Sequence, residues 1–363
     1  MMKTKILAAY LPQYHEIEEN NRWWGKGYTD WVAVQKAEPQ LKNQIQPRVP
    51  LNKNYYCLDK YENIKWQAEL AKKYGIYGFA IYHYWFSKDQ RLLTTPPELI
   101  LNHSDIDINF FFVWDNNSWV NKTWKNVSFT NQWAPRFEQS EGDGILAELK
   151  YGNENDWKKH YEYLLPFFED KRYIRENGYP LFGIFQSTNN YNLLQRMCKY
   201  FNDLAIKDGF PGIRFISAAT FSRTKLDIAF RYEPFNVCSP KDYLNRRIMK
   251  NRELKVYDYD KIWQKILFNA KCFREKNTIL GGFVRYDDTP RRGNTANIVI
   301  GDTPDKFRKY MERLIRISRQ QHKEYIYLTA WNEWGEGAYL EPDEESGYAY
   351  LEALKDAVES NEY

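Results

Sequence analysis

Eight short apolar runs recur along this chain with helical patterns between them, and that alternation restricts its fold more than any other feature. The runs are Lys5–Leu11, Ile76–Trp85, Asn109–Asp115, Pro180–Gln186, Arg214–Thr220, Ile228–Pro234, Ile279–Asp287 and Tyr325–Trp331. Most lack the apolar/polar alternation of a strand with one wet face, so they read as strands covered on both sides, as in a parallel sheet under helices. Helical patterns fall at Lys60–Tyr74, Trp157–Phe168, Tyr191–Lys207, Tyr259–Arg274, Pro304–Arg319 and Gly347–Val358. The fifth of these opens on Thr-Pro-Asp, a helix-start signal. Eight strands interleaved with helices in 363 residues fit an α/β fold of the (β/α)8 barrel type, one domain over 1–363, better than an open doubly wound sheet. Little room for a helix remains between the fifth and sixth runs, and Pro240–Lys255 reads as a long loop.

Composition narrows the function. Lys and Arg total 52 against 48 Asp and Glu, too balanced for a dedicated nucleic-acid binder. No run of about 18 apolar residues is present to span a membrane. The opening MMKTKILAAYLPQYH has a basic tip but passes into polar sequence without a small-residue cleavage site, so it reads as a first strand and the expected location is cytoplasmic. Four cysteines (Cys57, Cys198, Cys238, Cys272) have neither CxxC spacing nor a disulfide pattern, and five histidines lack ligand spacing, so no metal and no cofactor is expected. Nucleotide-cradling GxxxxGK[ST] and GxGxxG patterns, the GxSxG elbow and HExxH are also missing. Two DxD strings, Asp105-Ile106-Asp107 and Asp258-Tyr259-Asp260, lie before a strand and at a helix start, the wrong places for a metal-dependent sugar transferase. Aromatic residues reach 17%, with 13 Trp and 29 Tyr; such rings fill cores and also stack on the apolar faces of sugars.

In a (β/α)8 barrel the chemistry gathers at the C-terminal strand ends. There stand Tyr10, Gln13 and His15 after the first strand, His83, Tyr84 and Trp85 on the second, and Trp114, Asp115 and Asn116 on the third. Glu233 follows the sixth, Asp287 with Arg291 and Arg292 the seventh, and Trp331, Asn332, Glu333, Trp334 and Glu336 the eighth. Trp23, Trp24 and Trp31 in WWGKGYTDW are either an aromatic plug or a sugar platform. His83 among aromatics has two readings, a satisfied wall residue, the commoner case for a lone histidine, or a catalyst. Asp287 fits a sugar hydroxyl, and Arg291 and Arg292 fit an anionic group.

The segment Ala330–Pro342, AWNEWGEGAYLEP, sets Glu333, Glu336 and Glu341 among two Trp and two Gly. Gly335 and Gly337 permit a turn that brings Glu333 and Glu336 round one pocket, and flanking Trp residues raise a carboxyl towards general-acid range. Two carboxyls are the minimum for glycoside hydrolysis. A pair on one short loop suits one carboxylate deprotonating a sugar hydroxyl while the other protonates the leaving oxygen. A partner across the mouth, Asp115 or Glu233, is the alternative geometry.

These segments resemble the WbsX family, which is like glycoside hydrolase family 99. The resemblance rests on Leu11–Trp31, Ile76–Phe86, Lys171–Phe182, Tyr286–Arg292, Ala330–Pro342 and Gly347–Leu354, in family order across nearly the whole chain. It implies a (β/α)8 barrel and carbohydrate chemistry in bacterial polysaccharide metabolism, either as a retaining glycosidase on α-linked, mannose-like glycans or as a glycosyltransferase of O-antigen or capsule synthesis. By the same resemblance Glu333 is the base acting on a 2-hydroxyl, giving a 1,2-anhydro sugar, and Glu336 the general acid. The expected partner is an oligo- or polysaccharide substrate, with no nucleic acid. One departure stands out: where the family commonly reads WANENW, this chain has Trp114-Asp115-Asn116-Asn117-Ser118-Trp119, with Asn117 in place of the usual Glu.

Overall fold

The computed structural model describes residues 4–120, 144–187, 190–218, 226–234, 254–272 and 277–360. Eight parallel strands form its centre: β1 (Lys5–Tyr10), β2 (Ile76–Ser87), β3 (Asn109–Trp114), β4 (Tyr179–Ile184), β5 (Arg214–Ala218), β6 (Ile228–Phe230), β7 (Thr278–Phe283) and β8 (Tyr325–Thr329). Each pairs with its neighbour in chain order, and β1 pairs with both β2 and β8, so the sheet closes. The registers Ala8↔Leu328 and Ala9↔Ala80 mark the closing seam. Closure leaves no edge, and strands covered on both faces explain the unbroken apolar runs. All eight expected strands are present, starting within one residue of the expected position and ending within four; the expected tail of β5, residues 219 and 220, and most of Pro240–Lys255 lie outside the described residues. The last residue of that segment, Lys255, opens a short strand, Lys255–Asp258, that pairs in parallel with Asn297–Ile300.

Seven longer helices flank the barrel: α1 (Tyr61–Lys73), α2 (Thr95–Asn102), α3 (Glu154–Glu169), α4 (Tyr191–Lys207), α5 (Tyr259–Cys272), α6 (Pro304–Gln320) and α7 (Ala349–Glu359). The start signal before α6 acts as read: Thr303 Oγ1 accepts from Lys306 N at 3.2 Å with Pro304 in the first turn. Its buried stripe, Phe307, Tyr310, Met311, Leu314, Ile315 and Ser318, follows helical spacing against the barrel. In α3, Asn153 and Asp156 form a capping box. Helix α2 was not expected, although Thr94-Thr95-Pro96-Pro97-Glu98 carries the same kind of start signal. Among the described residues no helix lies between β5 and β6, and no helix is long and apolar enough to cross a membrane.

Two adjacent glycines in β7 show how tightly the barrel wall is built. A Cβ on Gly281 would lie 2.1 Å from the carbonyl oxygen of Arg231, in the chain just beyond β6, whereas one on Gly282 would meet only side-chain ends of Trp263, Leu314 and Met311 at 3.1–3.2 Å. Backbone cannot step aside as side-chain tips do. Gly281→Ala is therefore expected to destabilise the chain by about 3 kcal/mol and Gly282→Ala by about 1 kcal/mol or less, in urea unfolding followed by circular dichroism.

Candidate active site

Beyond β8 the chain turns back on itself. Asn332–Glu333 pairs antiparallel with Ala338–Tyr339 across a tight turn, Trp334–Glu336. Gly337 closes the turn at φ 56°, and a Cβ there would lie 2.9 Å from the carbonyl oxygen of Asp287. A Cβ on Gly335 would lie 2.6 Å from Arg291 Nε and 2.9 Å from Asp30 Oδ2. Glycine is thus required at both positions, once for conformation and once for close approach. The backbone N–H of Asp287 donates to the carbonyl of Glu336 at 2.8 Å, joining the loops after β7 and β8.

Arg291, in the helical turn Thr289–Arg292, is the centre of this site. Its Nη1 donates to Glu336 Oε1 at 2.7 Å, and its Nη2 to both Asp30 Oδ2 at 2.7 Å and Glu333 Oε2 at 3.2 Å. One guanidinium therefore holds three carboxyls, two from one short loop and a third, Asp30, from far away in sequence. Side-chain exposure is 2% for Asp30, 5% for Glu333 and 20% for Glu336, so Glu336 is the member with most access to solvent. Ionising all three acids would leave two uncompensated negative charges around one cation in a desolvated space. Burial, with Glu336 and Asp30 as like-charged neighbours, pushes the Glu333 carboxyl well above the usual carboxylate range, and Arg291 only partly offsets this.

Aromatic hydroxyls line the same space. Glu333 raises the phenols of Tyr14, Tyr82, Tyr84, Tyr232 and Tyr327, which burial already pushes up, so all five are neutral at pH 7. Tyr82 and Tyr232 hydroxyls lie 2.9 Å apart, and Gln13 Nε2 donates to Tyr84 at 3.1 Å. Asp115 acts on Tyr84 from the end of β3; burial pushes its carboxyl up to about 6, against hydrogen bonds from Asn117 and Trp119. Asn117 donates to Asp115 Oδ1 at 2.6 Å. Trp119 bridges the rings of Trp23 and Tyr84 at 6.0 and 4.9 Å.

Of the residues expected at the rim, the structure gathers Glu333, Glu336, Arg291, Gln13, Tyr84 and Asp115, with Trp23 beside them. Others face elsewhere, and strand alternation is the reason: consecutive residues on a strand cannot share one face. Tyr84 turns inward, so His83 and Trp85 turn outward under α3. There the His83 and His160 Nε2 atoms are 2.8 Å apart and Trp85 stacks on His160 at 4.4 Å. Burial pushes His83 down to about 3, so it is a neutral wall residue. Trp114 also faces outward, its ring 5.2 Å from His160. Tyr10 faces α1, donating to Gln67 Oε1 at 2.7 Å, and Trp331 packs on Phe79 in the same layer.

Several expected sugar contacts are structural ties instead. Asn116 accepts from the N–H of Gln186 and donates to its carbonyl, latching the ends of β3 and β4. Asn332 does the same with Leu11 after β1. Asp287 receives donors from Gln44, Gln46 and the Thr289 N–H, so its oxygens are already occupied. Arg292 pairs with Asp288 at 2.8 Å and Glu233 with Arg231 at 3.4 Å; Arg291 serves three acids, which corrects its reading as a site for an anionic substrate group. His15 is buried and pushed down to about 4. Trp31 and Trp334 form the plug, with rings 5.4 Å apart, and Trp24 packs on Tyr28. Trp334 stacks on Tyr339 at 3.6 Å and donates to Glu341 Oε2 at 2.7 Å. Glu341 also accepts from Tyr56 and Gln67, which makes it the anchor of the loop's rear face.

Asp30 and the tyrosines at 14, 82, 232 and 327 were missed. For Tyr82 a signal existed: period-two alternation from Tyr84. Asp30 carries none, because a single acid between Thr29 and Trp31 looks like any helix-start carboxylate until the fold brings it to Arg291.

Known proteins add a frame to this geometry. The family model described as "Glycosyltransferase WbsX" matches residues 6–354. An uncharacterised protein WxcX from Xanthomonas campestris pv. campestris is 26% identical, covering 97% of this chain and 49% of its own length. The chain thus spans about half the length of the curated relatives it matches. Among solved structures, a GH99 endo-α-mannosidase from Bacteroides thetaiotaomicron superposes with a TM-score of 0.57 at 13% identity, covering 99% of this chain and 98% of that one. A glycoside hydrolase-like protein gives 0.60 at 11% identity, covering 99% and 94%. At these identities the likeness is one of fold.

The charge arrangement has a thermodynamic consequence. Because the native state holds the Glu333 proton to higher pH than the unfolded chain does, stability falls as pH rises from the unfolded value through the native one. Glu333→Gln removes that loss while keeping an acceptor for Arg291. Its melting temperature is expected to match wild type near pH 4 and to exceed it by about 3 °C or more at pH 8, measured by scanning calorimetry.

Proposed function

The chain belongs to the WbsX family, and from this we propose that it is a carbohydrate-active enzyme that cleaves an α-linked, mannose-like bacterial glycan with retention of configuration. The observation that carries the proposal is the joining of Glu333 and Glu336 on one guanidinium at the C-terminal end of the barrel. Both carboxyls arrive from one short hairpin, so they approach a bound sugar from the same side.

In this reading Glu333, whose burial gives it a high affinity for protons, takes the proton of the C2 hydroxyl. The C2 oxygen then attacks C1 while Glu336, the more solvent-accessible of the two, gives a proton to the departing glycosidic oxygen. Water opens the resulting 1,2-anhydro sugar at C1: Glu336 recovers a proton from the water and Glu333 returns its own to O2. Two inversions at C1 give retention. The active form is the one in which Glu333 is ionised beside Arg291, which favours that form, and the site's proton sits on Glu336, while the neutral phenols around them offer hydroxyl donors to the sugar.

A second reading, transfer of a glycosyl group in O-antigen or capsule assembly, is favoured by the family model's description. Against it, Arg291 and Arg292 are both committed to carboxylates rather than open to a donor phosphate.

Glu336→Gln is expected to lower turnover of the source organism's surface polysaccharide by at least about 10³-fold while leaving the melting temperature and glycan binding near wild type, with reducing ends read by NMR. Unchanged turnover removes the assignment. Thermal stabilisation by nucleoside-diphosphate sugars but not by oligosaccharides selects transfer over hydrolysis.

A further inference from the structure

We propose that Asp30 is a positioning residue that determines where the site's proton rests, by competing with Glu333 for one nitrogen of Arg291; this deepens the acid–base reading of Glu333 and Glu336 and rests on it. A guanidinium is a rigid planar fork, so its nitrogens cannot be redistributed without moving the whole group. Nη1 is given to Glu336, and Nη2 is divided, at 2.7 Å to Asp30 and 3.2 Å to Glu333. Asp30 has the shorter contact and therefore the larger share of the positive charge.

The arrangement is built rather than incidental. Asp30 opens the short helix Asp30–Gln35, and its N–H donates to the carbonyl of Gln13 at 3.3 Å. Its carboxylate lies against Gly335, where any side chain would meet Oδ2 and Arg291 together. Trp31, the next residue, is locked by its indole N–H to the carbonyl of Tyr56 at 2.8 Å. Asp30 thus has a fixed place between the two glutamates' loop and the arginine.

Among the described residues, the charged and titratable groups that face Glu333 are Arg291 from the turn after β7, Glu336 from its own loop, Asp30, and the phenols of Tyr14, Tyr82, Tyr84, Tyr232 and Tyr327. With the phenols neutral, the balance lies among three acids and one cation. Glu333 has the longest contact to that cation, so in the resting site it is the acid that retains the proton, and it gives that proton up before it acts as base. Removing the charge of Asp30 both withdraws a repelling neighbour and returns Nη2 to Glu333, and both effects lower the pH at which Glu333 ionises.

The test uses the full chain, wild type and Asp30→Asn, labelled with 13C at the Glu side-chain carboxyls and titrated by NMR without substrate. Glu333→Gln assigns the Glu333 resonance. The midpoint for Glu333 is expected to fall by about one pH unit in Asp30→Asn, a tenfold change in proton affinity, and to stay near wild type in Asp30→Glu; Asp30→Ser serves as a second neutral variant if the Asn variant does not fold. An unchanged or raised midpoint in the neutral variant overturns the role of Asp30. On glycan substrate the acid limb of kcat/KM is expected to move with the midpoint while KM stays put. A moved midpoint with no glycan cleavage at any pH leaves the proton assignment intact and overturns the glycosidase reading instead.

Discussion

One arginine among three carboxyls is the constraint on which the site depends. Arg291 draws Asp30, Glu333 and Glu336 from two separate regions of the chain onto a single planar group. A buried cation with one buried anion is a neutral pair; with three it is a charge imbalance that a retained proton reduces. The surrounding structure keeps that imbalance from dispersing. Gly335 lets the guanidinium pass close to the loop, Gly337 bends the loop over Asp287, and the amide of Asp287 ties it to Glu336.

The barrel supplies the rigidity this requires. Closure between β1 and β8 places the hairpin carrying both glutamates next to the loop after β1, and Asn332 fastens the two through paired hydrogen bonds to Leu11. Behind the hairpin, Glu341 gathers donors from Trp334, Tyr56 and Gln67, and Tyr14 accepts from the N–H of Trp334 while donating to the carbonyl of Asn332. The residues on either side of Glu333 are thus held from the back, which frees Glu333 itself to face Arg291. A carboxyl with a displaced proton affinity is useful only when its neighbours cannot move to relax it.

The fold was legible because burial on both faces of every strand imprints itself as continuous apolar runs, and helix starts such as Thr303-Pro304-Asp305 announce themselves chemically. The glutamate pair was legible because glycine and tryptophan bracket it within one segment. The rest of the rim was not, for a geometric reason. A strand end offers consecutive residues, but only alternate ones reach the mouth, so Tyr84 entered while His83 and Trp85 went under α3. Polar residues at strand ends are also the natural fasteners between loops, as Asn116, Asn332 and Asp287 show. Asp30 was invisible because its partner is about 260 residues away in sequence, and nothing local marks an acid that will meet an arginine only after the barrel closes.

The most direct measurement is the stability of Arg291→Met by urea unfolding at pH 5 and at pH 8. If the arginine holds three carboxyls against their mutual repulsion, its loss is expected to cost about 1 kcal/mol at pH 5, where protons replace it, and about 3–5 kcal/mol at pH 8, where nothing does. An equal cost at both pH values, or a negligible one at pH 8, would contradict the account.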